Sequence, residues 1–266
     1  MIAQPFFLVT PSTRGLSLAI TRHLLQTTQS PVVATHRSNK PDAIRERILS
    51  PLQNVDQDRL HLLQLELKSE DSIAAAAQSL ADVLAKSPKG DAYIHTAFFT
   101  GGVLHPERQP EDLIASNIEE TFDINVISHL ILIKHFSRFL PLPQSHHTSS
   151  DSPLLSKWVH ISARVGSISD NRLGGWFSYR ASKAALNQTI RTFDLYLQQR
   201  KILALCVGMH PGTVKTDLSK EFWHGVPDGK LFEPEDAAAK VVNVVQNLDI
   251  RNRGKVLDWA GNEVPP

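Results

Sequence analysis

Residues 6–26 read FFLVTPSTRGLSLAITRHLLQ, and this stretch decides the fold class. Residues 6–10 form the short apolar run that is typical of a buried strand, whereas residues 16–26 place apolar side chains at helical spacing. A turn with a single glycine, Gly15, separates the two segments. A strand, a tight turn and a helix in immediate succession predict the first half of a βαβ unit.

The same alternation of short apolar runs and longer helical segments continues along the chain. The strand and helix pairs that it predicts are 6–10 with 16–26, 31–35 with 41–49, 62–67 with 72–85, 92–97 with 117–140 and 158–162 with 179–199, followed by a strand at 204–210 and a helix at 237–248. The pattern predicts a single-domain α/β protein over residues 1–266, a Rossmann-type, doubly wound parallel sheet with helices on both faces. Residues 141–156 are polar and rich in helix breakers, which predicts a surface loop.

Composition and charge exclude several classes of protein. Lys and Arg number 28 and Asp and Glu number 27, so the formal net charge is +1 and no broad basic surface is expected for nucleic acid or an anionic membrane. Cys206 is the single cysteine and cannot form an internal disulfide, which suits a reducing compartment. No apolar stretch reaches about 18 residues and no signal peptide is evident, so a cytoplasmic protein is expected.

The turn after the first strand is a candidate phosphate-binding site. Residues 10–17 read TPSTRGLS and lead into a helix, whose free N–H groups and partial positive charge would suit a pyrophosphate. A lone glycine between strand and helix is also common in ordinary turns, so Gly15 alone leaves both interpretations open.

The end of the second strand carries a cation where an NAD-specific fold usually has a carboxylate. Arg37 follows Gly15 by about 20 residues, and Arg37 together with Arg14 would clamp a 2′-phosphate because guanidinium groups match phosphate oxygens. This pair favours NADP(H) over NAD(H). The alternative is two solvated surface arginines.

Three side chains indicate carbonyl chemistry. Ser162 ends the strand predicted at 158–162, and ligands of open α/β sheets bind at such strand ends. Tyr179 and Lys183 lie four residues apart on one helical face. A nearby ammonium favours the phenolate, so Lys183 is expected to lower the pKa of Tyr179 toward the working range of a general acid or base. The alternative is a packed tyrosine ring and a solvated lysine.

With these residues in place, the sequence resembles the short-chain dehydrogenase/reductase family, and in particular its C-factor-like branch. The resemblance covers nearly the whole chain and rests on residues 162–187, SARVGSISDNRLGGWFSYRASKAALN, and on residues 257–266, LDWAGNEVPP. It implies a proton-relay tetrad in which Tyr179 is the general acid in reduction, Ser162 steadies the carbonyl oxygen and Lys183 holds the nicotinamide ribose, while Asn125 positions a water.

The resemblance also implies a nicotinamide cofactor, NADPH or NADP⁺. The turn, the arginines and the family pattern together place cofactor contacts at Thr10, Ser12, Arg14, Gly15, Leu16, Arg37, Glu66, Leu67, Ala97, Tyr179, Lys183, Pro211, Gly212, Val214 and Thr216. Two departures bear on affinity. Pro11 and Ser17 occupy the outer positions of the family's glycine-rich turn, and His95-Thr96-Ala97-Phe98 stands where the family has Asn-Asn-Ala-Gly, so that Phe98 is expected to project into the cofactor cleft.

The substrate and other functions are less narrowly defined. Residues 217–230 lie where the family keeps a lid, and Phe222 and Trp223 with Trp176 and Phe177 favour an apolar or aromatic carbonyl substrate, unless these rings belong to the core. No metal site is expected from the histidine spacing. The sequence therefore favours an NADPH-dependent oxidoreductase acting on a carbonyl, an imine or the matching alcohol. No nucleic-acid or membrane partner is expected, and family analogy implies a homodimer or homotetramer. The alternatives are a catalytically silent nucleotide-binding signalling protein and a cyclase or isomerase that uses the same site.

Overall fold

Strands and helices alternate as the sequence indicates. The structure is a computed structural model that describes residues 2, 4–86, 92–141 and 155–266. The strands are β1 (Phe6–Thr10), β2 (Val32–His36), β3 (Leu60–Gln64), β4 (Ile94–Phe99), β5 (Ser156–Ile161), β6 (Ala204–His210), β7 (Thr213–Val214), β8 (Leu231–Phe232), β9 (Val256–Asp258) and β10 (Glu263–Val264). The helices are α1 (Gly15–Thr27), α2 (Pro41–Leu49), α3 (Glu70–Ala85), α4 (Ala115–Phe122), α5 (Ser128–Phe136), α6 (Phe177–Gln199) and α7 (Pro234–Gln246).

The central sheet confirms the expected Rossmann-type topology. Within the described residues its strand order is β10-β9-β6-β5-β4-β1-β2-β3, and every neighbouring pair is parallel except β9 with β10. The order reverses direction between β1 and β4, which creates the crevice where open α/β sheets bind ligands. The short strands β7 and β8 form a separate two-stranded sheet.

Helices cover both faces of the sheet. One core contains side chains of α1 and α7, such as Ile20 and Val241, against the sheet residues Val9, Phe98 and Val207. The opposite core contains side chains of α3, α5 and α6 against Leu8, Ala97, Phe99, Trp158 and Cys206. Apolar residues on both sides of the pleat are what a parallel sheet covered on both faces requires.

One predicted helix is divided in the structure. Residues 117–140 were expected as a continuous helix, but α4 and α5 are joined by a π-helical segment at Asp123–Ile127. The extra residue that a π segment inserts is frequently found at functional sites, and here the segment contains Asn125.

Two further expectations concern regions outside the core. Most of the surface loop expected at 141–156, namely residues 142–154, lies outside the described residues. In the described part of the chain, no helix combines the length and apolar character needed to span a bilayer.

Candidate active site

Helix α6 presents Tyr179 and Lys183 as buried neighbours. The Lys183 Nζ lies 5.7 Å from the centroid of the Tyr179 ring and donates a hydrogen bond of 2.9 Å to the carbonyl of Ile161 at the end of β5. The Tyr179 hydroxyl, in contrast, has no hydrogen-bond partner in the described ranges. The ammonium is therefore held by the backbone of the sheet, and the phenol remains free to bond to a ligand.

Burial shifts the pKa values of both groups. It raises the pKa of Tyr179 to about 12 and lowers the pKa of Lys183 to about 8. The shift for Tyr179 is opposite to the one expected from the sequence, because removal of the phenol from water disfavours the phenolate more than the ammonium favours it. A phenol with this pKa is protonated at neutral pH, which is the form that a proton donor needs.

Ser162 lies at the carboxyl end of β5, as the sequence predicts. Its backbone N–H donates to Met209 O at 2.9 Å, and its hydroxyl donates to Asn187 Oδ1 at 2.6 Å. Asn187 follows Lys183 by four residues on α6, so it shares a helical face with Tyr179 and Lys183. Sequence analysis did not single out Asn187, although that spacing is the signal that would have found it.

The Asn125 side chain is fully buried and joins two segments of the site. Its Nδ2 donates to Val103 O and to Ser182 Oγ, both at 3.0 Å, and its Oδ1 accepts from Val103 N at 2.9 Å. The amide thereby fixes the chain that leaves β4 against the helix that carries Tyr179. This arrangement brings all four predicted tetrad residues to the same edge of the sheet.

Gly101 and Gly102 face this edge of the sheet, whereas Phe98 does not. The Phe98 ring is buried in the core beneath α1, so the expectation that it projects into the cofactor cleft was wrong. Ala97, predicted as a cofactor contact, is also fully buried, in the opposite core. Strand β4 ends at Phe99 and not at residue 97 as expected, so Ala97 and Phe98 both lie within the strand.

Gly102 instead occupies the position next to the tetrad. A Cβ atom at Gly102 would lie 3.7 Å from Lys183 Nζ and 3.8 Å from Asn125 Oδ1. The bare backbone here leaves room for a ligand between these side chains. The pair Gly101-Gly102 could have indicated this position from the sequence. It was missed because residues 95–98 were matched to the family motif instead.

The candidate phosphate-binding turn is held by its own polar side chains. Ser12 is fully buried and its hydroxyl lies within hydrogen-bonding distance of Val9 O and Thr35 O, while Thr35 Oγ1 donates to the buried Thr10 Oγ1. Thr10 and Ser12 therefore shape the turn, and their side chains point into the protein. Ser17 is accommodated because its hydroxyl donates to Arg14 O at 2.8 Å.

Gly15 begins α1 in the left-handed region, with φ of +52°. A Cβ atom at this position would lie 2.9 Å from the methyl group of Thr216, so a side chain is excluded on both conformational and steric grounds. The first N–H groups of α1 have no partners within the helix, and Leu16 follows at its partly buried start. The turn thus retains the features of an anion site although Pro11 and Ser17 replace glycines.

The segment after β6 closes over this turn. Gly212 has φ of +77° and packs so tightly that a Cβ atom would lie 2.6 Å from the Phe232 ring. Val214 is buried in β7, and Thr216 reaches Gly15. Residues 211–216, including the half-buried Pro211, therefore border the same crevice as the turn. Their contacts with a cofactor stay a prediction.

The crevice is polar and exposed near the carboxyl end of β2. Arg37 Nη1 lies 3.9 Å from Glu66 Oε2, and the Arg37 side chain is 75% exposed. Arg14 is also exposed, and Leu67 is half-buried against Gly101. A third cation, Arg47 of α2, donates to the carbonyl of Thr13 at 3.4 Å. Its position beside the turn was not evident from sequence, because α2 carries it there through tertiary packing.

A buried carboxylate anchors the start of α6. Glu107 accepts hydrogen bonds from Ser178 N at 3.0 Å and from Ser178 Oγ at 2.5 Å, and its backbone carbonyl accepts from Trp176 N at 2.6 Å. A carboxylate is favoured at a helix N-terminus by the free N–H groups and the helix dipole. Glu107, which the sequence analysis did not identify, thus fixes the residue immediately before Tyr179.

Aromatic side chains lie beside Tyr179 on the side of the expected lid. The Trp176 ring is 6.1 Å from the Tyr179 ring and 4.7 Å from the Phe222 ring, measured between centroids. Trp223 Nε1 donates to Ser219 Oγ at 2.9 Å. Phe222 belongs to the 3₁₀ turn Lys220–Gly225, so residues 217–230 contact Trp176, the residue that immediately precedes α6.

Two buried histidines lie directly behind the tetrad. His129 Nδ1 and His160 Nδ1 are 2.8 Å apart, and His129 Nε2 is 3.1 Å from Gly101 O. Because only a nitrogen that carries hydrogen can bond to a carbonyl, a neutral His129 has its hydrogen on Nε2 and accepts from His160 Nδ1. The pair supports the Gly101 backbone. No set of three potential metal ligands is found in the described part of the chain.

These buried imidazoles predict a loss of stability in mild acid. Burial lowers the pKa of His129 to about 3 and the pKa values of His95 and His210 to about 4. Below pH 6.5 the unfolded histidines bind protons that the folded ones do not, so the free energy of unfolding should fall between about pH 6.5 and 4, by about 2 kcal/mol per histidine at pH 5.

Urea unfolding at pH 7.5, 6.5, 5.5 and 5 measures this effect. In His95→Phe, the free energy of unfolding should fall less between pH 7.5 and 5, because one histidine no longer contributes. Substitution of the exposed His224 by Gln should leave the pH dependence unchanged. A free energy of unfolding that does not vary over this range would contradict the predicted shifts.

The crevice as a whole fits a nicotinamide dinucleotide. It offers backbone at Gly15 for a pyrophosphate, backbone at Gly102 beside Lys183 for a ribose, and exposed cations at the end of β2. The carboxyl ends of β1 and β4 meet there, and a hydrogen bond of 2.8 Å from Thr100 N to Thr10 O continues the pairing of the two strands. The donor set is therefore in agreement with the cofactor that the sequence implies.

Comparison with known proteins establishes the family. The family model for short chain dehydrogenase matches residues 6–226. The chain belongs to the short-chain dehydrogenase family. It is accordingly an oxidoreductase of a family that uses a nicotinamide cofactor.

Individual relatives agree with this family assignment. The chain is 34% identical to C-signal of Myxococcus xanthus over 111 residues, which are 42% of this chain and 61% of that protein. It is 31% identical to 1-hydroxy-2-glutathionyl-2-methyl-3-butene dehydrogenase of a Rhodococcus species over 197 residues, 72% of this chain and 74% of the relative. NADPH-bound carbonyl reductase from chicken fatty liver is 26% identical, with a TM-score of 0.81 over 99% of both chains.

Proposed function

We propose that this chain is an NADPH-dependent oxidoreductase that reduces a carbonyl or imine substrate, or oxidises the matching alcohol, with Tyr179 as general acid and base. The observation that carries the proposal is the buried Tyr179 hydroxyl, which is protonated at neutral pH and lacks a protein partner in the described ranges, beside Lys183 and Ser162. The NADPH-bound chicken carbonyl reductase supports the same chemistry.

Each tetrad residue has a distinct task in reduction. When bound, a reduced nicotinamide would supply the hydride for the carbonyl carbon. Tyr179 donates its hydroxyl proton to the carbonyl oxygen, and the Ser162 hydroxyl holds that oxygen. The positive charge of Lys183 stabilises the phenolate that remains, and Lys183 also holds the ribose next to Gly102. Asn125 maintains the backbone around Val103 and positions the water through which Tyr179 regains its proton.

Cofactor turnover tests the proposal directly. Purified protein is titrated with NADPH and NADH by fluorescence, and the loss of reduced-nicotinamide absorbance is then followed with a panel of aliphatic and aromatic aldehydes and ketones. NADPH-dependent loss that requires a carbonyl compound is expected. Tight NADPH binding without turnover of any substrate would contradict the proposal and favour the regulatory alternative.

The preference for NADPH is predicted to depend on Arg37. Arg37→Gln should raise the KM for NADPH by about tenfold, because a charge-assisted bond to the 2′-phosphate is lost, and should leave the KM for NADH unchanged. The exposed Arg172→Gln is the matched control and should change neither KM. Equal losses with both cofactors would defeat the assignment of Arg37 to the 2′-phosphate.

The remaining features of the proposal concern substrate access and assembly. Residues 217–230 act as the lid over an apolar or aromatic substrate, supported by the contact between Trp176 and Phe222. Two exposed apolar side chains, Ile127 at the end of the π segment and Leu130 on α5, support a homodimer or homotetramer. A single domain over residues 1–266 and a cytoplasmic location stay predictions.

A further inference from the structure

Besides the crevice described above, a cavity opens at the same edge of the sheet as the tetrad. Its volume is about 310 Å³, and its walls include Arg164, His210, Gly212, Lys230, Asp258 and Trp259. Two of these residues have appeared in the proposed function, Gly212 in the cofactor crevice and Lys230 at the end of the lid segment 217–230, and the others have no role there. The cavity adjoins the tetrad in the chain as well, because Arg164 follows Ser162 by two residues.

The register of the sheet places this cavity beside Ser162. Ser162 N donates to Met209 O, so Ser162 continues the pairing of β5 with β6 next to His210, and His210 pairs in turn with Asp258 of β9. Neighbouring strands lie about 4.8 Å apart, so the cavity walls at His210 and Asp258 are about 5–10 Å from Ser162. A ligand held at Ser162 by its carbonyl can reach the cavity with its opposite end.

Cations in and around this cavity have unused hydrogen-bonding capacity. Arg164 pairs with Asp170 through Nε alone, at 2.6 Å, which leaves its terminal Nη groups unbonded in the described part of the chain. Lys230 Nζ has no hydrogen-bond partner there either and lies 4.8 Å from the centroid of the Trp259 ring. Lys240 Nζ lies 5.1 Å from the same centroid, so two like charges are concentrated at one indole.

The carboxylate of the cavity does not neutralise these cations through direct pairing. Asp258 Oδ1 accepts from Ala260 N and Asn262 N, both at 2.9 Å, and Oδ2 accepts from Asn262 Nδ2 at 3.3 Å. Its acceptor atoms are occupied by the turn that follows β9. His210 adds a neutral imidazole whose buried Nδ1 has no partner in the described ranges. An incoming anion would therefore meet free donors from Arg164 and Lys230.

We propose that this cavity binds a carboxylate group on the carbonyl substrate, with Arg164 and Lys230 as the residues that determine this specificity. The inference rests on the proposed function and narrows its substrate class to carbonyl compounds that carry a carboxylate about 5–10 Å from the reacting carbon. The guanidinium fork of Arg164 suits a planar carboxylate, and the flexible ammonium of Lys230 adds a second charge. The Trp259 ring provides an apolar wall for the connecting part of the substrate.

A pair of substrates that differ only in charge tests the proposal. The kcat/KM for 4-carboxybenzaldehyde should exceed that for its neutral ester, methyl 4-formylbenzoate, by about tenfold or more, which is the worth of one or two charge-assisted hydrogen bonds. Arg164→Gln and Lys230→Gln should each reduce the preference, mainly through the KM for the acid, and leave the ester rate unchanged. Lys86→Gln, at an exposed lysine at the end of α3, is the matched control and should change neither rate.

Two outcomes separate failure of this inference from failure of the proposed function. Reduction of both compounds with equal kcat/KM, or equal loss of both in the Arg164 and Lys230 variants, would overturn the carboxylate site and leave the reductase intact. Oxidation of NADPH with neither of these compounds nor any other carbonyl would remove the proposed function itself.

Inhibition by terephthalate distinguishes a substrate subsite from a separate effector site. Competition against 4-carboxybenzaldehyde, weakened by Arg164→Gln, is expected if the carboxylate of the substrate occupies the cavity. Noncompetitive inhibition would instead indicate an independent anion site and would overturn the proposal. Quenching of tryptophan fluorescence by terephthalate, measured without cofactor, provides a readout of binding that does not depend on turnover.

Discussion

Substitution of Tyr179 by Phe is expected to lower kcat for carbonyl reduction by about 10²–10⁴-fold, the usual contribution of a general acid. The ring packs against Trp176 and is otherwise buried, so phenylalanine fills the same space and only the proton donor is removed. Because the hydroxyl has no hydrogen-bond partner in the described residues, its loss should leave the free energy of unfolding nearly unchanged. Steady-state kinetics and urea unfolding of the same preparation measure these two quantities.

The same helix offers a matched control for this experiment. Tyr196 is 44% exposed near the end of α6, and Tyr196→Phe removes a hydroxyl far from the site. This variant should retain the kcat of the wild-type protein. Turnover that survives undiminished in Tyr179→Phe would remove Tyr179 as the proton donor, and a kcat that falls together with the free energy of unfolding would indicate a structural role instead.

The topology was predictable because periodicity and strand-end chemistry are local signals. The apolar run at residues 6–10, the glycine turn and the amphipathic helix after it lie where the sequence places them. That Ser162, Tyr179 and Lys183 lie at one edge of the sheet was also predictable, because a parallel sheet brings the carboxyl ends of its strands together there, whereas their catalytic roles stay a prediction. The π segment around Asn125 was not predicted, since a single inserted residue leaves the helical period of the flanking segments almost unchanged.

The alignment at β4 and the pKa of Tyr179 show where the sequence was insufficient. The motif resemblance placed Phe98 at a ligand-facing position, but the strand continues to Phe99 and the helix-facing side of the pleat takes the Phe98 ring. The spacing of Tyr179 and Lys183 indicated a lowered pKa. The structure shows that desolvation dominates, and burial cannot be obtained from a pair of residues alone.

Residues that support the site were missed for a common reason. Glu107 caps α6 from 71 positions away along the chain, and His129 contacts His160 across 31 positions. No short motif connects such pairs, because their contact exists only after the sheet and helices have packed. Arg47 is a further example, since its proximity to Thr13 depends on how α2 lies beside α1.

Substitution of Gly102 by Leu is predicted to weaken NADPH binding by about 10- to 100-fold, the equivalent of the 1–3 kcal/mol typical of overpacking. The first carbon would be tolerated, because it would lie in ordinary contact with Lys183 Nζ at 3.7 Å and Asn125 Oδ1 at 3.8 Å. The rest of a leucine side chain has to extend into the space where the ribose is proposed to lie. The free energy of unfolding measured without cofactor should therefore change much less than the affinity for NADPH.

The comparison with Phe98→Leu makes this prediction specific to the glycine. Phe98 is buried beneath α1, so shortening its side chain should lower the free energy of unfolding by about 1–2 kcal/mol and leave NADPH affinity unchanged. Gly102→Leu is thus expected to affect mainly NADPH affinity, and Phe98→Leu mainly the free energy of unfolding. If Phe98→Leu alters NADPH affinity while Gly102→Leu does not, the cofactor contact belongs at the end of the 95–98 motif after all. If Gly102→Leu weakens NADPH binding and Phe98→Leu does not, Gly102 is the residue, beside Lys183 and Asn125, that must lack a side chain for the ribose to approach Tyr179.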